Sequence, residues 1–203
     1  TLSCVPLIFT RGVEWFLAQG SENNGGPKLI CLSGHVERPG VYEVPNGYPC
    51  HKLIELAGGI WKGRKLKAVI PGGSSTPVLV PRPCKGLAAE GQPENEWPLE
   101  TEAPLDFDSM AKAGSMFGSA GMMVLDDQTC MVDMARFFLR FTQLESCGKC
   151  IPCRLGTKRM LDVLDRIVNG EGLDGDIELL EEMSEHVSGG SLCALGGTAP
   201  NPV

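Results

Sequence analysis

Three cysteines, Cys147, Cys150 and Cys153, fall within the ten residues ESCGKCIPCR in a C-x2-C-x2-C pattern, and this spacing constrains the chain more than any other feature. Three thiols so close together are too many for a Cys2His2 finger. A loop of this kind can aim successive sulfurs at different irons of a cubane, and a fourth thiolate from elsewhere completes the four ligands of a 4Fe–4S cluster. Cys193, in GGSLCALGG, is the natural fourth, because it alone follows the triplet and it lies in a glycine-rich turn. The neighbours fit an anionic centre. Gly148 lets the backbone curl so that amides can aim at sulfur, and Lys149 and Arg154 add positive charge. Pro152 stiffens the loop and removes a donor. A structural Cys4 zinc site is the alternative, although such sites are normally built from two separated C-x2-C pairs.

The chain has 203 residues and nine cysteines, an odd number unevenly spread. A secreted disulfide scaffold is usually shorter and even in count. Cys4, Cys31, Cys50, Cys84 and Cys130 are isolated and read as small buried apolar side chains. Apolar residues make up 42% and charged residues 21%, ordinary globular usage that excludes wholesale disorder. No apolar run approaches the roughly 20 residues needed to span a bilayer, so no membrane insertion is expected. The opening TLSCVPLIFTRG lacks a basic n-region and a cleavage site, so no signal peptide is expected either. A net charge of −7 argues against nucleic-acid binding, which calls for a clustered basic surface.

The chain reads as three stretches. Residues 1–27 are a short lead-in and linker, with Val13, Phe16 and Leu17 at helical spacing. Residues 28–127 read as a small α+β sheet with one covering helix. In it, 28–44 form a hairpin whose ERPG segment places Gly40 at the positive-φ position of a type II turn. CHKLIELAGG is a helix with Leu53, Leu56 and Ala57 on one face, and LKAVI and GMMVLDD are further strands. Residues 81–105, rich in Pro, Glu and Gly, read as a long surface insertion. Residues 128–203 read as a three-helix bundle. Thr129 is its N-cap, and the core faces are Met131/Ala135/Phe138/Thr142, Met160/Leu164/Ile167/Val168 and Ile177/Leu180/Met183/Val187. The acidic run from Gly175 to His186 reads as a solvated face. His35, His51 and His186 read as surface or capping groups. No G-x-G-x-x-G follows a strand, and PGGSSTP lacks the lysine of a phosphate loop.

ESCGKCIPCR, taken with SLCALGG further on, resembles the flavoprotein NADH-oxidising subunit of respiratory complex I and its soluble relatives in hydrogenases, formate dehydrogenases and bifurcating complexes. LICLSGHVERPGVYEV and AVIPGGSSTP resemble that subunit's β-grasp (SLBB) domain. The resemblance therefore implies an α+β chain: a small SLBB-like domain followed by an all-α bundle carrying an iron–sulfur cluster. It implies that Cys147, Cys150, Cys153 and Cys193 bind the 4Fe–4S cluster that takes electrons from FMN. It also implies that Thr1, Ala194 and Leu195 lie on the flavin side, and that FMN and NAD(H) bind in a domain preceding this sequence. Thr1-Leu2 resemble the tail of a flavin motif, and the family continues for another helix beyond Val203, so the chain is expected to be a C-terminal piece that is inactive toward NADH alone. The implied partners are a 2Fe–2S thioredoxin-like subunit and a further iron–sulfur subunit, in the cytoplasm or peripheral to a membrane complex. The 81–105 insertion departs from the complex I pattern. The competing reading is a β-grasp module that binds a ligand or partner, with a structural metal such as zinc.

Overall fold

The computed structural model describes residues 2–203, and Thr1 lies outside the described residues. The chain divides into two compact units. One runs to Gly73 and resumes over Val78–Asp127, and the other comprises Ser74–Pro77 with Gln128–Val203.

The first unit opens with short helices α1 (Val5–Arg11) and α2 (Val13–Leu17). Its sheet has four strands: β1 (Pro27–Gly34), β2 (Gly40–Pro45), β3 (Leu66–Ile70) and β4 (Gly121–Asp126). The order is β2-β1-β4-β3. β1 pairs antiparallel with β2 and parallel with β4, and β3 pairs antiparallel with β4. The last strand in sequence thus fills the middle of the sheet. Its composition suits that place, since Met122, Val124 and Leu125 are all buried, and strands flanked on both sides read as near-continuous apolar runs. Helix α3 (Cys50–Leu56) covers one face of the sheet. Cys50, Leu53, Ile54 and Ala57 join Ile30, Leu32, Val44, Met122 and Val124 in one apolar core.

Several local expectations are corrected. The hairpin forms, but Gly40 opens β2 opposite Leu32, and the positive φ falls on Gly34 at 85°. A Cβ on Gly34 would overlap the Val124 carbonyl, so the chain leaves β1 through a residue without one. Leu56 is half-exposed, and Cys50 and Ile54 occupy the helix face expected of it. Of the five isolated cysteines expected to be buried, only Cys50 and Cys84 are; Cys4 is half-buried, and Cys31 and Cys130 are exposed. The 81–105 stretch is not merely a surface loop. It forms 3-10 turns, and Cys84, Ala103 and Leu105 enter the core. Glu100 fastens it by accepting hydrogen bonds from Arg82 Nε at 2.6 Å and from the Val80 amide at 2.9 Å. A short helix, α4 (Phe107–Lys112), follows, capped by Asp106, whose carboxylate accepts the Ser109 N–H at 2.7 Å. His35 is half-buried rather than free at the surface, stacked on Trp61 with ring centroids 5.4 Å apart. Beside it the fully buried Asp126 accepts from Arg64 Nη1 at 2.7 Å and Trp61 Nε1 at 3.2 Å.

The second unit consists of α5 (Met131–Glu145), a π-turn (Pro152–Gly156), α6 (Thr157–Val168), α7 (Asp176–Gly190) and a short α8 (Ala194–Thr198). Its core joins Ala135 and Leu139 of α5, Met160, Leu161, Val163 and Leu164 of α6, and Leu180 and Val187 of α7. Here too some expectations give way. Cys130, not Thr129, occupies the cap position of α5, with no side-chain cap bond. Ile177 is largely exposed, and Leu179 packs against the core in its place. The acidic run is not uniformly solvated, because Asp176 is buried in a two-pronged pair with Arg166, one prong being Nε to Oδ2 at 3.0 Å. The Leu173 amide donates to the same carboxylate at 2.8 Å. Guanidinium first, then that amide, hold the Asp176 carboxyl below the usual carboxylate range. Among the described residues no helix is long and apolar enough to cross a membrane.

Candidate iron–sulfur site

The thiol triplet occupies the link between α5 and α6. Cys147 follows the end of α5 and is exposed, Cys150 is half-buried, and Cys153 is buried inside the π-turn. A π-turn admits one more residue per turn than an α-helix and is frequent at functional sites. Here it opens α6 so that the Arg154 amide returns to the Cys150 carbonyl at 3.0 Å. Thr157 Oγ1 donates to the Cys153 carbonyl at 2.6 Å and fixes the backbone of that residue.

The expected curl at Gly148 is present, with φ at 74°, but its amide does not aim at sulfur. It donates to Ser146 Oγ at 3.3 Å, and that hydroxyl lies 3.3 Å from Cys153 Sγ. Arg154 Nη1 donates to the Gly148 carbonyl at 2.8 Å, so this cation braces the loop directly.

Cys193 stands at the N-cap of α8, exposed and with extended backbone. The segment around it meets the triplet loop. The Leu192 amide, then the Cys153 amide, hydrogen-bond the Cys150 thiol and hold it below its ordinary value against a smaller opposing effect of burial. Gly196 is buried, and a Cβ there would overlap Ser191 Oγ and lie 2.9 Å from Cys153 Cβ. Ser191 is itself tied by donating to the Val187 carbonyl at 2.6 Å. The fold thus brings 146–153 and 191–196 together, yet among the described residues no three Cys, His, Asp or Glu side chains are gathered as a metal-binding group. Because the thiols come from separated segments and are not held together in the unfolded chain, metal binding at such a site is coupled to folding. The donor set suits iron and sulfide: four soft thiols, of which Cys150 is lowered by backbone amides, beside a loop braced by Ser146 and Arg154.

Ser146, Ser191, Leu192 and Gly196 contact the cysteine-bearing segments and were not found by spacing alone. The nearest signal was their adjacency to Cys147 and Cys193. Ala194, exposed, and Leu195, half-buried, begin α8 immediately after Cys193.

The chain is thus an α+β protein with a small four-stranded sheet unit and a helical unit in which two cysteine-bearing segments meet. Residues 133–203 match the NADH-ubiquinone oxidoreductase-F iron-sulfur binding region, and residues 29–79 match the SLBB domain. The chain is 48% identical over 200 residues to the NADH-quinone oxidoreductase F 2 subunit of Rhizobium meliloti (strain 1021), an alignment covering 98% of this chain and 44% of that protein. It is 37% identical to the HndC subunit of the NADP-reducing hydrogenase of Solidesulfovibrio fructosivorans, covering 100% of this chain and 38% of that one. Among solved structures it superimposes on an NAD+-reducing [NiFe]-hydrogenase in the H2-reduced state with a TM-score of 0.80 and 31% identity, covering 100% of this chain and 31% of the other. Along its whole length the chain is similar to part of the NADH-quinone oxidoreductase F subunits and of their hydrogenase counterparts, and it spans less than half the length of these relatives.

Proposed function

We propose that this chain is the electron-relay portion of an NADH-linked flavoprotein oxidoreductase, in which Cys147, Cys150, Cys153 and Cys193 hold one 4Fe–4S cluster between FMN and a partner subunit. The observation that carries this is the meeting of the 146–153 loop with the 191–196 segment, seen in Gly196 against Cys153 and in the Leu192 amide on the Cys150 thiol. When bound, such a cluster supplies a one-electron store. The protein's own work is positional. Thr157 and the π-turn hold Cys153, the Leu192 amide favours thiolate at Cys150, and Arg154 braces the loop. On this reading residues 1–27 are the tail of a flavin domain with a linker, 28–127 the SLBB-like domain and 128–203 the cluster domain. Ala194 and Leu195 lie on the flavin side of the cluster. NAD(H) and FMN bind elsewhere in the full-length subunit, and residues 1–203 alone do not oxidise NADH. The names of the relatives, each a subunit, support partners within a multi-subunit redox complex; on this reading those partners are a 2Fe–2S thioredoxin-like subunit and a further iron–sulfur subunit. The reading carries with it a cytoplasmic location, peripheral to any membrane complex.

Anaerobic purification followed by metal and acid-labile sulfide analysis tests the assignment. Near four irons and four sulfides per chain is the expected result. One zinc without sulfide would overturn it in favour of a structural metal.

A further inference from the structure

Ser146 Oγ sits between two partners. A hydroxyl has one proton to donate and two lone pairs to accept with. The Gly148 N–H occupies one lone pair at 3.3 Å, and Cys153 Sγ lies 3.3 Å away on the other side. Either atom of the Ser146–Cys153 pair could donate when Cys153 is a free thiol. A thiol that coordinates a metal is deprotonated and can only accept. With Cys153 as a ligand, the contact therefore has one polarity: Gly148 N–H to Ser146 Oγ, and Ser146 O–H to Cys153 Sγ.

Cys153 is the buried member of the triplet, while Cys147 and Cys193 are exposed. Water can solvate the exposed sulfurs, but the Cys153 sulfur depends on the protein. Its backbone and Cβ are also held in place, by Thr157 on the carbonyl and by Gly196 close to Cβ. Hydrogen bonds are stronger where the local dielectric is low and when the acceptor is charged.

We propose that Ser146 is a positioning residue that donates to the Cys153 thiolate and makes the proposed cluster easier to reduce. The inference rests on the cluster assignment above. One-electron reduction adds one negative charge to the cluster unit, part of it on the thiolate sulfurs, while the proton stays on Ser146 Oγ. A donor aimed at one of those sulfurs stabilises the reduced form more than the oxidised form, and such bonds are among the determinants of cluster potential.

The test is a redox titration followed by electron paramagnetic resonance on the iron–sulfur-loaded chain and its Ser146→Ala, Ser146→Gly and Ser146→Thr variants. Removing the hydroxyl should lower the reduced-to-oxidised ratio at the wild-type midpoint by about threefold to about tenfold, ~28–59 mV for one electron. Ser146→Thr, which keeps a hydroxyl, should titrate with wild type. Wild-type midpoints in both hydroxyl-free variants would overturn the proposal, as would a shift that Ser146→Thr fails to rescue. Loss of the cluster from both hydroxyl-free variants while Ser146→Thr stays loaded would also overturn it, in favour of a role in assembly. A wild-type chain that binds no iron would instead defeat the cluster assignment itself, which separates the two failures.

Discussion

Gly196 and Cys153 meet so closely that the glycine can carry no side chain: a Cβ at residue 196 would lie 2.9 Å from Cys153 Cβ and overlap Ser191 Oγ. Neither partner can yield cheaply, since Ser191 is bonded to the Val187 carbonyl and the Cys153 backbone to Thr157. A glycine inside a helix ordinarily costs about 0.5–1 kcal/mol relative to alanine. Here the sign should reverse. Gly196→Ala should destabilise the helical unit by roughly 1–3 kcal/mol through overpacking and lower iron occupancy. Urea unfolding with iron quantification checks both, and unchanged stability with full loading would contradict the contact.

The ligand assignment separates Cys193 from the isolated cysteines. Cys193→Ala should lose iron or degrade the cluster to a three-iron form, because one iron loses its protein ligand. Cys130→Ala, at the cap of α5, should retain full iron and sulfide. The reverse outcome would reassign the fourth ligand.

Of the two buried thiols of the sheet unit, Cys50 and Cys84, the first should be chemically silent. Cys50 is fully buried in the core, and burial pushes its thiol up to about 12. In cluster-free protein near pH 8, iodoacetamide should label exposed Cys31, Cys130, Cys147 and Cys193 and leave Cys50 untouched until the fold is denatured. Peptide mass mapping over time reads this directly, and early labelling of Cys50 would show that the core opens around it.

Arg166 and Asp176 tie the end of α6 to the start of α7. The Asp176 carboxyl is lowered from its ordinary 3.8, so the pair's contribution is fully present above pH 3.8 and is lost as the pH falls through the lowered folded value. Asp176→Asn should therefore lower the thermal midpoint of the helical unit by several degrees at pH 7, with the gap to wild type closing below pH 3.8 as Asp176 protonates. A gap that stays constant with falling pH would assign the loss to packing instead.

Local patterns carried much of the architecture. The 28–44 hairpin, the helix beginning at Cys50 and the helices from Met131, Thr157 and Asp176 were legible because periodicity and turn residues act over a few neighbours. Which apolar residues of a face are covered was less legible. Leu56 and Ile177 share the spacing of buried neighbours yet remain exposed, because coverage depends on what packs opposite them. The packing of Cys84, Ala103 and Leu105 stayed hidden in a stretch whose proline and glutamate content reads as loop, and α4, just beyond it, is too short to show a clear period.

The sequence by itself determined the chemistry on offer: three thiols at fixed spacing in one loop, a fourth within reach along the chain, and a hairpin followed by helices. These follow from residue types and short-range geometry. Only the tertiary structure decided that β4 lies between β1 and β3, because the parallel pairing of Cys31 with Gly121 joins residues far apart in sequence with no local mark. It alone decided that Gly148 bonds Ser146, that Ser146 reaches Cys153, and that Gly196 seats against them. Those contacts arise from a π-turn and a helix packed across it, and close approach between separate segments is a property of the packed chain rather than of any short stretch of it.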